Sequence, residues 1–151
     1  MIKDRTLHYK SAAEIKTFQE ERLVETLRYV SERSAFYRQR FAEDGIDINE
    51  IRTLEDLHKL PVTTKQDLQL NGEDFICVDR AEIIDYVTTS GTLGNPVTFS
   101  LTESDLQRLA YNEASSFTMT GMDRNDIMQL MTTIDRRFMA GLAYFMGARE
   151  L

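Results

Sequence analysis

Apolar and small residues recur at Leu23, Leu27, Val30, Ser34, Tyr37 and Phe41 in alternating steps of four and three, the spacing of one helical face. Ser11, with Glu14 three residues on, has the form of a capping box ahead of them. This pattern predicts one long amphipathic helix or two. Glu43-Asp44-Gly45 closes it, because glycine accepts the left-handed conformation at a helix end. Thr53 with Asp56, then Thr64 with Asp67, mark two further short helical starts, with Pro61 as a breaker between them. From Glu82 the period shortens. Glu82 to Val87 is β-branched and aromatic and predicts a strand, and Val97 to Ser100 predicts a second one after a small, polar, glycine-bearing loop. Thr102 with Asp105 opens a helix whose face is Leu106, Leu109, Ala110, Ala114 and Phe117, and Gly121 ends it. Ile127 to Met131 reads as a buried strand and Arg137 to Leu151 as a mostly apolar helix.

Strand, helix and strand in succession imply an α/β layer. The expected organisation is a helical segment over 1–80 followed by an incomplete α/β subdomain over 81–151. Nothing polar or glycine-bearing closes Ala148-Arg149-Glu150-Leu151, so the last helix reads as cut and the chain as a fragment. The 151 residues are 42% hydrophobic and 28% charged, enough for one core. With 18 Lys and Arg against 25 Asp and Glu, the formal charge of −7 argues against nucleic acid and against an anionic membrane surface as partners. The longest charge-free apolar stretch, Phe138 to Ala148, is far shorter than the roughly 20 residues of a bilayer span. Cys77 is the single cysteine, and Met1 to Arg5 leads into no apolar signal core, so a reduced, cytoplasmic setting is expected.

Candidate chemistry concentrates in Thr89 to Asn95. Its glycines let the backbone approach a ligand closely, while successive N–H groups and hydroxyls suit anionic oxygen. Asn95-Pro96 leads into an extended segment and not into a helix, so this is no Walker loop. On the residues alone two readings stand: a phosphate cradle, or a polar hairpin turn with hydroxyls facing solvent. His8 and His58 lie on polar stretches without metal-ligand spacing and read as surface residues. Cys77, flanked by Ile76 and Val78, reads as a small core residue, and Met119, Met122, Met128, Met131, Met139 and Met146 as adaptable packing. Arg33, Arg38 and Arg40 read as a solvated face balanced by Glu32 and Glu43.

Thr89-Ser90-Gly91-Thr92-Leu93-Gly94-Asn95-Pro96 resembles the phosphate-binding signature of adenylate-forming enzymes. Ser34 to Tyr37, Gly45 to Asp47, Ile51 to Leu57 and Leu60 to Lys65, in that order before the loop, look like the N-terminal part of phenylacetate-CoA ligases. Gly141-Leu142 and Gly147-Ala148 continue the likeness to the last residue. The resemblance implies a helical N-terminal segment followed by part of the mixed sheet layer of the family's large N-terminal domain. It also implies a two-step reaction, in which a carboxylate attacks the α-phosphate of ATP to give an acyl-adenylate and pyrophosphate, and a thiol, usually coenzyme A, then takes the acyl group.

By that resemblance Thr89, Ser90, Gly91, Thr92, Gly94 and Asn95 would bind the nucleotide phosphates with Mg²⁺. Arg136, Phe138 and Gly141 would line the pocket for a small-molecule carboxylic acid. The family's catalytic lysine, its adenine-binding segments and its acidic Mg²⁺ ligand have no counterpart before Leu151, so these residues alone are expected to be inactive. Homodimer formation is left open. Asn95 stands where the signature has lysine and Leu93 where it has threonine, which predicts weaker nucleotide affinity and admits a non-catalytic module of the same fold. Thr133 to Arg137 is charged where relatives carry aromatic and glycine residues. Arg136 or Arg137 would then pair with an extra carboxylate on a more polar acid, or simply cover a helix start at the surface.

Overall fold

The computed structural model describes residues 6–89, 96–134 and 137–151, which fall into two compact units, Thr6–Val78 and Asp79–Leu151. In the first, α1 (Ala12–Arg33) begins at the Ser11 and Glu14 box: Glu14 accepts from the Ser11 N–H at 2.9 Å while the Ser11 oxygen caps the Glu14 N–H. A second helix, α2 (Ala35–Glu43), follows directly, and Ser34 is the hinge between them. Its hydroxyl oxygen accepts from the Tyr37 N–H at 3.3 Å and its hydroxyl donates to the Asp74 carbonyl at 2.8 Å, so this fully buried polar side chain is satisfied. Gly45, at φ +65°, ends α2. The Ile46 N–H reaches the Phe41 carbonyl at 2.8 Å and the Gly45 N–H the Ala42 carbonyl at 3.4 Å, the double closure of a Schellman motif.

The face read from the sequence is the one buried. Leu27, Phe41 and Ile51 form the centre, with Leu23, Val30, Tyr37, Ile46, Ile48 and Leu60 packed against it. Burying such a side chain fully contributes about 1.5–3 kcal/mol. A 3₁₀ turn (Leu54–Lys59) and the short α3 (Lys65–Leu70) start at their threonine and aspartate pairs. Phe75 closes the unit by stacking on Phe36 at 4.1 Å between ring centroids.

In the second unit β1 (Ile83–Thr88) pairs antiparallel with β2 (Thr98–Thr102), Thr88 opposite Thr98 and Val87 opposite Phe99. β1 starts one residue later than its composition suggests. Asp79 and Glu82 make a further capping box, whose 3₁₀ turn (Arg80–Glu82) absorbs Glu82. α4 (Glu103–Met119) leaves β2 directly at its Thr102 cap, and Gly121, at φ +92°, ends it with the same double closure. α4 packs closely on α5 (Met139–Glu150) through the buried Ala110, Ala114, Ala143 and Gly147.

Several expectations fail here. Ile127 to Met131 is no strand: Ile127 is 99% and Met131 87% exposed, and no described strand pairs with the segment. Strand-forming composition makes no strand without a ladder partner. The sheet among the described residues is therefore a hairpin, with one parallel bridge from Thr88 to Phe138 in place of the expected third strand. The last helix begins at Met139, because Arg137 takes a left-handed φ of 63° that no α-helix contains. Met119 is 74% exposed, and Met122, Met128, Met139 and Met146 are half-buried, so the methionines are not core residues. Arg40 pairs with Asp44 at 3.0 Å and not with Glu43.

Candidate functional site at the root of the loop

The end of β1 is held from both sides. Thr88 and Thr98 form a non-hydrogen-bonded pair, so the Thr88 N–H points away from β2, and it donates to the Arg137 carbonyl at 2.7 Å. One residue on, the Thr89 N–H points back and donates to the Val97 carbonyl at 3.0 Å. The Val97 N–H donates in return to the Thr89 hydroxyl oxygen, also at 3.0 Å. Val87 and Val97 beneath this crossing are 1% and 4% exposed. The loop thus springs from a rigid base whose far edge is the 137–138 segment.

That segment is shaped by two features. Arg137, a non-glycine residue with positive φ, carries local strain of about 1–3 kcal/mol, held by the bond from Thr88 and by the bridge at Phe138. Its guanidinium lies over the Tyr86 ring at 5.8 Å. Gly141, buried in the first turn of α5, faces the main chain of Thr133 and Ile134, which crosses it so closely that a β-carbon would meet the Thr133 carbonyl. Phe138 stands half-buried between the two, at the N-cap of α5.

Of the residues singled out from the sequence, Thr89, Phe138 and Gly141 are described. Phe138 bridges to Thr88, the residue before Thr89, and Gly141 lies one helical turn further on. Ser90, Gly91, Thr92, Leu93, Gly94, Asn95 and Arg136 lie outside the described residues. Sequence reasoning missed Thr88, Tyr86 and the Arg137 carbonyl, whose roles are long-range, and a left-handed arginine leaves no trace in composition.

Among the described residues, the titratable groups with shifted proton affinity lie elsewhere. Burial pushes the Cys77 thiol up, and its sulfur donates to the Phe75 carbonyl at 3.4 Å. A half-buried thiol held protonated is no nucleophile, though it is more exposed than the core position expected. His58 is exposed. Among the described residues no three His, Cys, Asp or Glu side chains come together as a metal set. No helix among them is long and apolar enough to cross a membrane.

Mixed helix and sheet in this arrangement place the chain with the large N-terminal domain of adenylate-forming enzymes. No family model matches it. It is 32% identical over 142 residues to phenylacetate-coenzyme A ligase of Escherichia coli (strain K12), across 93% of this chain and 32% of the relative. Against the Thermus thermophilus enzyme of the same name it is 37% identical over 108 residues, 71% of this chain and 24% of that one. A solved 2-hydroxyisobutyryl-CoA ligase in the postadenylation state, in complex with 2-HIB-AMP, superposes with a TM-score of 0.84 at 26% identity, covering 93% of this chain and 30% of that one. The same ligase with 2-HIB-AMP and CoA in the thioesterification state gives 0.80 at 27% identity, over 93% and 31%. Over most of its length the chain is similar to the phenylacetate-CoA ligases, and it spans about a third of the length of the curated relatives it matches.

Proposed function

We propose that these residues form the phosphate-binding side and one wall of the acid pocket of an ATP-dependent acid–CoA ligase acting in the cytoplasm. The observation that carries the reading is the 2.7 Å bond from Thr88 to Arg137, which ties the root of the glycine-bearing loop to the Phe138 segment. An acid and a triphosphate that must react need their binding segments side by side, since effective molarity depends on near-attack placement. In this reading the hydroxyls of Ser90 and Thr92 and the N–H groups around Gly91 and Gly94 donate to phosphate oxygens. A substrate carboxylate attacks the α-phosphorus, the bond to the pyrophosphate oxygen breaks, and an acyl-adenylate forms. A thiol, coenzyme A by analogy with the relatives' names, then displaces AMP. Donors aimed in advance at the leaving group lower the barrier, and losing one such donor typically costs about 3 kcal/mol.

Phe138, with Arg136 two residues before it and Gly141 three after, would meet the acid, a small molecule. By the same resemblance, bound Mg²⁺ would neutralise the remaining phosphate charge. The test is acid-dependent exchange of pyrophosphate into ATP by the full reading frame that encodes this chain. Ser90→Ala with Thr92→Ala should lower exchange at least about tenfold. Exchange at the unsubstituted rate would remove the loop from the chemistry.

A further inference from the structure

In a regular antiparallel ladder a hydrogen-bonded pair exchanges two main-chain bonds. The pair that closes this hairpin does not. Thr89 gives its N–H to the Val97 carbonyl, but Val97 gives its N–H to the Thr89 side chain, both at 3.0 Å. We propose that Thr89 is a positioning residue: its hydroxyl oxygen stands in for a carbonyl and fixes the point at which the chain leaves β1 for the loop. The proposal rests on the phosphate-loop reading for its consequence in catalysis, though not for its effect on the hairpin.

Three features support it. Val97 is 4% exposed, so its N–H has little access to water as a substitute acceptor, and an unpaired buried donor is costly. Thr89 is β-branched, which restricts χ1 and holds the oxygen toward Val97 with little rotamer entropy left to lose. The preceding residue is tied on the opposite side by the Thr88 bond to Arg137, so the exit is hydrogen-bonded from both sides.

The experiment uses the nucleotide-free protein from the full reading frame and follows amide exchange at Val97 in the parent, Thr89→Val and Thr89→Ser. Valine keeps the shape and removes the acceptor, and Val97 should exchange about tenfold faster, the equivalent of one net hydrogen bond. Serine should restore the parent rate. In steady-state kinetics Thr89→Val should raise KM for ATP more than it lowers kcat, with KM for the acid unmoved and serine near the parent. Equal Val97 exchange in the parent and Thr89→Val overturns the proposal. Faster exchange with unchanged ATP kinetics overturns both the catalytic consequence and the phosphate-loop reading. If the valine variant does not fold, Thr89→Ala removes the same acceptor and is read by the same two measurements against the same criteria.

Discussion

Adding one methyl group at Gly141 tests the packing that sets the Phe138 segment. A β-carbon there would collide with the Thr133 carbonyl oxygen and lie 2.9 Å from its carbonyl carbon and 3.3 Å from the Ile134 α-carbon. All three are main-chain atoms, so no flexible side chain can swing aside, and either α5 or the 133–134 crossing must retreat. Overpacking of this kind costs about 1–3 kcal/mol, against which alanine regains up to about 1 kcal/mol of helix propensity. Gly141→Ala should therefore destabilise the second unit by about 1–2 kcal/mol. Because the crossing leads into Arg137, the Thr88 amide should also exchange faster. Displacing a substrate-facing segment by about 1 Å can cost on the order of 100-fold in rate, so acid-dependent pyrophosphate exchange should fall more than stability alone explains. Gly72→Ala is the control: a β-carbon there meets nothing within 4 Å and the residue has no positive φ, so stability should hold or rise by up to about 1 kcal/mol. Urea unfolding with amide exchange at Thr88 decides the matter. A Gly141→Ala protein as stable as its parent, with Thr88 unchanged, would refute the packing argument.

Ser34→Ala removes a helix cap and a buried bond to Asp74 together, and should cost about 2 kcal/mol in urea unfolding; a loss under about 0.5 kcal/mol would show that neither bond matters. The Lys59 ammonium and the N–H groups of Arg52 and Thr53 hold the Asp56 carboxyl well below its ordinary value, and hydrogen bonds from Ser11 and Thr64 lower Glu14 and Asp67 in the same direction. Folded-state values below the unfolded ones mean stability that is complete above the ordinary carboxylate range, about pH 4, and is lost as pH falls from there toward the folded values. Asp56→Asn should flatten the acid limb of a stability–pH curve, and an unaltered limb would contradict this origin. Asn95→Lys should tighten ATP binding, since a full charge within about 4 Å of phosphate is worth on the order of 1–4 kcal/mol; equal affinities by calorimetry would mean that position 95 faces away.

Local signals were legible in the sequence wherever a few neighbouring residues complete the interaction. Serine or threonine with an acidic residue three positions on marks α1, α3, α4 and the turn at Thr53, because both partners of each capping bond sit in one turn. Gly45 and Gly121 mark helix ends because left-handed backbone is costly for other residues. The stripe from Leu23 to Phe41 became part of the core of the first unit, since a 3.6-residue period places Leu23, Leu27 and Val30 on one face of α1 and Tyr37 and Phe41 on one face of α2. The resemblance of Thr89 to Pro96 pointed to the loop on the same terms, from adjacent residues.

Tertiary structure decided what depends on partners distant in the chain. Ile127 to Met131 has the composition of a strand and stays unpaired among the described residues, because pairing is a property of two segments and only one was visible. Ser34 looked like a small residue on an apolar stripe, and only the fold supplies Asp74, 40 residues away, as its acceptor. The left-handed Arg137, the bond it accepts from Thr88, and the crossing over Gly141 arise where α5 is set against the edge of β1. No local preference favours an arginine at φ 63°; the surrounding bonds and packing impose it, so its position beside the loop could be found only in three dimensions.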